Sequence, residues 1–575
     1  MKHEIDNIID NAISSKTFGD DFKFRKNQRE IIFKICETYI EDPTSTLVID
    51  APTGSGKSLI AMWSSHILKE LGNTGYLITS DLSLQDQYES DFYKYGLRWP
   101  SIRGVDNYEC SVNGLSFSLG DCRLKGMSYD QAKSLHCYAS CDYFHNRDRS
   151  ITQPISLLNY SFWLIQRNYV EDRMEASEKE VPFKERDFVF FDEAHKVDDI
   201  VQNHFSPKID YDLVDRIIDL SDFLMGYGII STSISCDSLN KRVKNIIEGD
   251  KILVLQELEA LMKFLEDLNM LRKNANTYVK RFFDNKIIPR DWQRIFSTFD
   301  RIKDVHCKVE DYLELIGRVG IDKMVMDQED EEAKFMCVDS SGMIKRYLHN
   351  KAKFKVFMSA TIGNPEAFMS IMGIENAKFI RLGNSFNYDK SPIVFINRHK
   401  LSVKERAESL PKVVKLLDKI ISKHKGQRGI IHCGSYEFMN YIKTESKHIF
   451  RLVDYGNSKE KSGAIETFKN KHDGVLIGPS ILEGLDLSDD TSRFQIFFKV
   501  PYPYLGDPLI KAKMKESNEW YEWKTGISVL QGVGRSVRNE DDWAVTYVLD
   551  ACFNNLLKRN NFLPPSFMER IKILK

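Results

Sequence analysis

The segment that most limits what this chain can fold into lies near its start. Leu47-Val48-Ile49-Asp50 reads as a short buried strand, Ala51-Pro52-Thr53-Gly54-Ser55-Gly56-Lys57-Ser58 as a glycine loop, and Leu59 to Leu68 as an apolar helix. Strand, glycine loop ending in Gly-Lys-Ser, then helix is the order that a phosphate-binding loop requires. Glycines let backbone N–H groups turn inward around phosphate oxygens, and the helix adds its positive N-terminal end. Thr53, Gly54, Ser55 and Gly56 would form the cradle. Lys57 would reach the β- and γ-phosphates, and the Ser58 hydroxyl would ligate Mg²⁺ beside ATP. Ala51 stands where many such loops have glycine, but a chance match to the spacing rarely supplies the strand and helix as well.

A second site follows the apolar run Phe188-Val189-Phe190-Phe191, which ends in Asp192-Glu193-Ala194-His195. An Asp-Glu pair alone is ordinarily a solvated surface feature. At the C-terminal edge of a buried parallel strand it meets the place where α/β sheets bind ligands. Asp192 would hold Mg²⁺ through water and Glu193 would polarise the attacking water.

The C-terminal half repeats the α/β pattern. Ser359-Ala360-Thr361 follows the strand-like Lys355–Met358. Gly429–Cys433 and Gly474–Gly478 read as further strands, the second leading to Glu483-Gly484-Leu485-Asp486. Last comes Gln531-Gly532-Val533-Gly534-Arg535-Ser536-Val537-Arg538. Arginines at i and i+3 project from one side of a helix, and arginine suits bidentate phosphate contact in a closing cleft. A second domain carrying Gln531, Arg535 and Arg538 would bring them to the γ-phosphate held by the first and couple hydrolysis to domain motion.

The ordered set Arg25/Gln28, phosphate loop, DEAH, SAT, EGLD and QGVGRSVR resembles superfamily 2 helicases, over residues 24–538. Within them it resembles the XPD/DinG family of iron–sulfur DNA helicases. That finer match rests on the DEAH box, EGLDL, QGVGRSVR, Pro501-Tyr502-Pro503, Arg103–Cys110 and four clustered cysteines. The resemblance implies two RecA-like parallel-sheet motor domains, adenine contact by Gln28 and Arg25, and nucleotide contact by Gly484 and Asp486. It also implies 5′ to 3′ movement on single-stranded DNA with duplex unwinding.

Cys110, Cys122, Cys137 and Cys141 are separated by 11, 14 and 3 residues, between the phosphate loop and the DEAH box. Four thiolates can hold a [4Fe–4S] cluster or a tetrahedral zinc, so the donor set leaves both open. The family position favours iron–sulfur, and His136 and His145 read as surface residues. The cluster's expected role is to staple a loop-rich insertion too small for its own core. The other six cysteines read as small buried hydrophobes.

Between His195 and Ser359 lie 163 residues, far more than a two-domain motor needs. The spacing of Leu255, Leu258, Met262, Leu265 and Leu268 predicts helix. A helical insertion over 206–345 resembles the family's Arch domain, and the run Asp327–Glu332 reads as a solvated loop. The expected division is motor domain 1 in three parts (1–102, 150–205 and 346–380), the cluster insertion 103–149, the Arch-like insertion 206–345 and motor domain 2 over 381–575.

Single strands are gripped by phosphate contacts and base stacking. By motif position the candidates are Ser80, Asn159, Tyr160, Ser435 and Tyr436, with Tyr108, Tyr143, Phe144 and Trp163 as stacking groups. The net charge is only −2, with charged residues making up 29% of the chain, so any basic groove must be local. No apolar run is long enough for a membrane span and the first residues lack a signal-peptide core, so a cytoplasmic (or nuclear) monomer is expected. Expected partners are single-stranded and forked duplex DNA, with repair, replication or defence proteins. An RNA or RNA–DNA hybrid helicase, or a non-unwinding translocase or scaffold, stands as the alternative.

Overall fold

The computed structural model describes the chain except residues 1, 15–22, 26, 53, 167–181, 284–287, 350–352, 384–387, 456–460, 480–488, 538–541, 559–561 and 575. Thr53, Gly484, Asp486 and Arg538 of the expected site therefore lie outside the described residues.

Strands β1 (Thr46–Asp50), β2 (Gly75–Thr79), β3 (Ile155–Asn159) and β4 (Phe188–Phe191) come first. A long insertion follows, containing β5 (Lys208–Asp210), β6 (Met324–Gln328) and β7 (Glu332–Cys337). The chain then returns with β8 (Phe354–Ser359) and β9 (Lys378–Arg381) to complete a six-stranded parallel sheet ordered β3-β2-β4-β8-β1-β9. β1 to β4 are buried along their whole length, as parallel strands covered on both faces must be. Their apolar residues split cleanly between the faces. Leu47, Ile49, Leu77, Phe188 and Phe190 pack with helix Lys57–Glu70. Val48, Tyr76, Ile78, Val189 and Phe191 turn towards the insertion.

Register decides where the chemistry emerges. Asp50 lies opposite Ser359 and Phe191 opposite Phe357, so the phosphate loop, the SAT residues and the DEAH acids leave the sheet at one edge.

A second parallel sheet has the order β12-β13-β11-β14-β15-β10-β16. Its strands are β10 (Ile393–His399), β11 (Gly429–His432), β12 (Leu452–Asp454), β13 (Val475–Gly478), β14 (Phe494–Phe497), β15 (Val545–Asp550) and β16 (Ile571–Leu574). Between β14 and β15 runs a helical hairpin, Pro508–Glu516 and Asn518–Val533, which carries Gln531.

The long insertion is chiefly helical, with helices Tyr211–Gly226, Cys236–Glu248, Lys251–Phe282 and Arg290–Val319. Leu258, Leu265 and Leu268 are buried on the third of these. The acidic run is solvated as expected, but it forms the tip of a hairpin and not a free loop. Asp327 and Gln328 end β6 and Glu332 opens β7, with a turn closed by Glu329 N–H donating to Glu332 O at 2.8 Å. Apolar residues on either side, Met324, Val325, Phe335 and Met336, are buried and pull the acids into an antiparallel hairpin with its charges at the tip. Cys236 is exposed, so it is not the buried hydrophobe that the sequence suggested.

The two insertions touch. Asn276 Nδ2, from helix Lys251–Phe282, donates to Leu124 O at 2.7 Å, and Gly126 lies flush against the same side chain. A Cβ on Gly126 would come within 2.9 Å of Asn276, at a backbone φ of +61°.

Candidate functional site

The phosphate loop is built as its sequence requires. Gly54 and Gly56 have φ of +83° and +75°, a region that glycine enters without cost, and Gly56 caps helix Lys57–Glu70. The loop is braced from behind. Gln28 Nε2 donates to Ser55 O at 2.7 Å, Gln28 Oε1 accepts from Arg25 N–H at 2.8 Å, and Arg25 Nη1 bonds Gly54 O. Gln28 is buried. In this arrangement its amide spans the loop backbone, while the exposed Arg25 lies across the loop's outer edge.

Lys57 Nζ sits 3.5 Å from Glu193 Oε1, joining the loop to the DEAH box. Asp192 is buried, accepts from Tyr88 Oη and from Glu193 N–H at 2.8 Å each, and has its backbone carbonyl held by Tyr160 Oη at 3.0 Å. Burial and the adjacent Glu193 carboxylate push its pKa up to about 6. Burial acts on Glu193 too, but the Lys57 ammonium overcomes it and holds Glu193 below the usual range. Glu193 also adopts a left-handed φ of +50°, a strained geometry for a residue with a side chain. Ser58 Oγ donates to Asp91 at 3.2 Å. One hydroxyl and one buried carboxylate beside a lysine form the oxygen-rich set that suits Mg²⁺ next to phosphate.

His195 joins three motifs. Gln531 Nε2 lies 2.5 Å from His195 Nε2, and His195 Nδ1 lies 2.7 Å from Ser359 Oγ. An amide N–H donating to Nε2 leaves Nδ1–H to donate to the serine, which assigns the tautomer. Ser359 Oγ in turn accepts from Thr361 N–H at 3.0 Å. A cavity of about 100 Å³ lies between the two sheets, lined by Asp50, Pro52, Thr361, Arg381, Leu530 and Gly534 among others. The Gln531 helix ends at Val533, so Arg535 lies in the turn beyond it and not on a helical face as expected; it is half-buried and within electrostatic reach of His432, whose pKa burial and that arginine lower to about 4.

Several residues that sequence patterns missed complete the site. Tyr88 and Asp91 hold Asp192 and Ser58 from one helix, Leu82–Lys94. Arg381 Nε donates to Asp50 at 2.8 Å and its Nη2 to Gly363 O at 2.5 Å, tying the base of the phosphate loop to the SAT loop. Trp523 Nε1 donates to Ile362 O at 2.9 Å from the second domain. No local motif marks any of them.

The strand-binding candidates divide by exposure. Tyr436 is 42% exposed, while Ser435 caps helix Tyr436–Glu445 and Ser80 bonds Asp81. Tyr108 is half-buried and accepts from Arg103 N–H. Asn159 is buried, capping Tyr160–Leu164 and bonding Gln85. Tyr160, Trp163 and Phe144 are packed away from any strand, because Tyr160 and Trp163 fill the sheet face and Phe144 the cysteine cluster.

Cys110, Cys122 and Cys141 are buried and Cys137 half-buried, around a small apolar cluster with Phe117, Ala132 and Phe144. Burial and the neighbouring Cys110 and Cys141 thiols raise Cys122 to about 11, and the same influences raise Cys137. Each of these thiols therefore lies in the field of two others. A Cβ on Gly120 would come 3.2 Å from Cys110 Sγ, so glycine leaves space beside that sulfur. Among the described residues no three His, Cys, Asp or Glu groups close on a point that would hold a single ion. Four gathered and largely buried thiols are a donor set that fits an iron–sulfur centre, whose positive irons would stabilise the thiolates. His136 and His145 are exposed.

A phosphate loop and DEAH acids on one parallel sheet are met by the Gln531 helix from a second. Residues 21–213 match the family model described as the type III restriction enzyme res subunit, and residues 418–564 match that of a helicase C-terminal domain. The chain is 24% identical over 419 residues to an ATP-dependent DNA helicase YoaA of Haemophilus influenzae, covering 65% of this chain and 60% of that protein. It is 27% identical over 228 residues to the Escherichia coli protein of that name, covering 37% and 35%. The chain thus spans less than two thirds of these relatives' length. The solved structure titled S. tokodaii Xpd4 superposes with a TM-score of 0.60 at 14% identity, over 96% of this chain and all of that one. A structure titled XPD helicase gives 0.59 at 17% identity, with the same coverage. The sequence matches are to helicases, and the fold is that of the XPD structures.

Proposed function

We propose that this chain is an ATP-dependent DNA helicase moving 5′ to 3′ on single-stranded DNA and opening forked duplexes. The observation that carries this reading is the continuous path from Lys57 to Glu193 at 3.5 Å, from Glu193 Oε2 to His195 Nδ1 at 3.3 Å, and from His195 to Gln531 of the second domain. ATP would be held by residues 53–58, with Arg25 and Gln28 behind the loop, and Mg²⁺ by Ser58 and, through water, Asp192. In the resting site Lys57 is paired with Glu193. Phosphate drawing on Lys57 would free the Glu193 carboxylate to accept a proton from the attacking water. The water oxygen then bonds to the γ-phosphorus as the bond to the bridging oxygen breaks, leaving ADP and phosphate. Arg535 and Arg538 would steady the charge that builds on the transferring group, with Gly484 and Asp486 alongside.

Cys110, Cys122, Cys137 and Cys141 would hold a [4Fe–4S] cluster that staples residues 103–149. With the Arch-like insertion 206–345, this would form the gateway where strands part. Ser80, Tyr108, Ser435 and Tyr436 are the accessible contacts proposed for the bound strand.

The test compares ATPase stimulation by single-stranded DNA and RNA, together with displacement from forks carrying 5′ or 3′ tails. Stronger stimulation by RNA, or displacement only from 3′ tails, would overturn the reading. Anaerobically purified protein is expected to show a broad band near ~400 nm and about four irons per chain. A colourless zinc protein would remove the cluster.

A further inference from the structure

The hairpin that brings Gln531 to the cleft meets the first motor domain along one face. Trp520, Lys524, Ile527 and Gln531 recur at i, i+4, i+7 and i+11, the spacing of a single helical stripe. Trp520 Nε1 donates to Asp198 at 3.3 Å, Lys524 pairs with Asp199 at 2.5 Å, Ile527 packs on Gly363, and Gln531 meets His195. Trp523, beside the stripe, reaches Ile362 O. Trp520 and Gln531 stand roughly 16 Å apart along the helix, so the contact has two distinct ends.

Those ends differ in kind. At the Trp520 end lies Asp198, 1% exposed, one turn past the DEAH box. Both its oxygens accept from Lys513 Nζ at 2.9 Å, and Ser340 Oγ, from where the long insertion returns, bonds the same carboxylate. Lys513 is itself only 6% exposed. Burial alone would raise the Asp198 pKa, but Lys513 and Lys524 hold it at about 2. A buried pair with every partner in place costs far more to separate than a neutral hydrogen bond, because separation leaves charge in a poor solvent. The Gln531–His195 contact at the other end is a single part-buried side-chain hydrogen bond. Gly532 and Gly534 follow it directly, and Pro501 to Gly506 precede the hairpin as a segment of little regular structure.

We infer that the Asp198–Lys513–Trp520 node is a fixed pivot between the motor domains, and that Asp198 and Lys513 are positioning residues for the Gln531–His195 contact. Opening of the cleft starts at the Gln531 end, while the hairpin's first half stays with the first domain through the cycle. Ser340 ties the root of the Arch-like insertion to the same point, so insertion and cleft share one fulcrum. This inference rests on the helicase reading for its catalytic consequence but not for its mechanical one.

Two measurements on the full chain test it. Hydrogen exchange is read with and without a nonhydrolysable ATP analogue. Amides of 198–205 and 513–520 should keep their protection while those of 528–537 change. Equal changes in both regions would overturn the pivot. Steady-state ATPase is then read for Lys513→Met and for the neutral double variant Asp198→Asn/Lys513→Met. The double variant leaves no buried lone charge and keeps the test open if the single variant folds poorly. Both are expected to lower the DNA-stimulated kcat about tenfold while KM for ATP moves less than about twofold. A double variant with wild-type kcat would make the pair merely structural and sink the inference. Exchange needs nucleotide binding alone, so it reports on the pivot even if DNA fails to stimulate wild-type turnover, the result that would sink the helicase reading instead.

Discussion

On the phosphate-loop side of the cleft, Lys57, Asp192 and Gln28 are each held by a neighbour, and the loop backbone is clasped from behind. On the facing side, Arg535 is half-buried just past a helix that meets the first domain through the Gln531 amide on His195. The first side is organised in advance to receive a nucleotide. The second reaches that pocket through contacts that are easily remade. The proposed motor would need both, because a cleft rigid on both sides would hydrolyse without moving anything.

The contrast breaks most visibly at Arg535. If the facing side acts only as the cleft closes on the transition state, Arg535→Ala should lower kcat by about 10³-fold and leave ATP affinity nearly unchanged. Equilibrium nucleotide binding beside steady-state turnover checks this. A matching loss of affinity would show that Arg535 already belongs to the ground-state pocket. Lys57→Ala, on the organised side, should cost about 10²–10³-fold in kcat and also weaken ATP binding. Removal of Lys57 takes away the strongest of the cationic influences that keep Glu193 ionised. A kcat defect with unaltered affinity would erase the distinction between the two sides.

The same contrast governs what could be read from sequence. Strands β1, β4, β8, β11 and β13 were legible because each is a short apolar run bounded by turn residues. The motif residues were legible because phosphate chemistry imposes spacing over a few positions. The acids at 327–332 are solvated as expected, but at the tip of a hairpin whose strands went unread because the apolar partners lie outside the run. The bracing residues carry no local mark. Tyr88 reaches Asp192 across 104 positions and Arg381 reaches Asp50 across 331. Such contacts exist only once the sheet has set its register. Asp198, three residues beyond the DEAH histidine, gave no hint of a lysine 315 positions away.

The joint between the two sides should have its own pH signature. Asp198 is held at about 2 in the fold against an ordinary value of 3.8. A depressed carboxyl contributes stability that is complete above its unfolded pKa and is lost as pH falls through the folded one. Roughly 2 kcal/mol should therefore be present above about pH 4 and disappear towards pH 2. Denaturant midpoints of wild type and Asp198→Asn should converge across that window. Parallel curves would mean that the pair does not lock the halves together.

The smallest effect concerns how tightly the organised side is packed. Gly56 has a φ of +75°, and a Cβ there would lie 2.4 Å from Gln28 Nε2. Gly56→Ala should cost about 1–2 kcal/mol from the left-handed backbone alone. It should also displace Gln28 from Ser55 O. The backbone term is independent of Gln28 and the clash is not. Combining Gly56→Ala with Gln28→Ala should thus cost less than the sum of the two single changes, since the smaller side chain clears the collision. Thermal unfolding of the four proteins without nucleotide measures that coupling. Strict additivity would mean that Gln28 swings away freely, and the phosphate-loop side would then be as pliable as the side it faces.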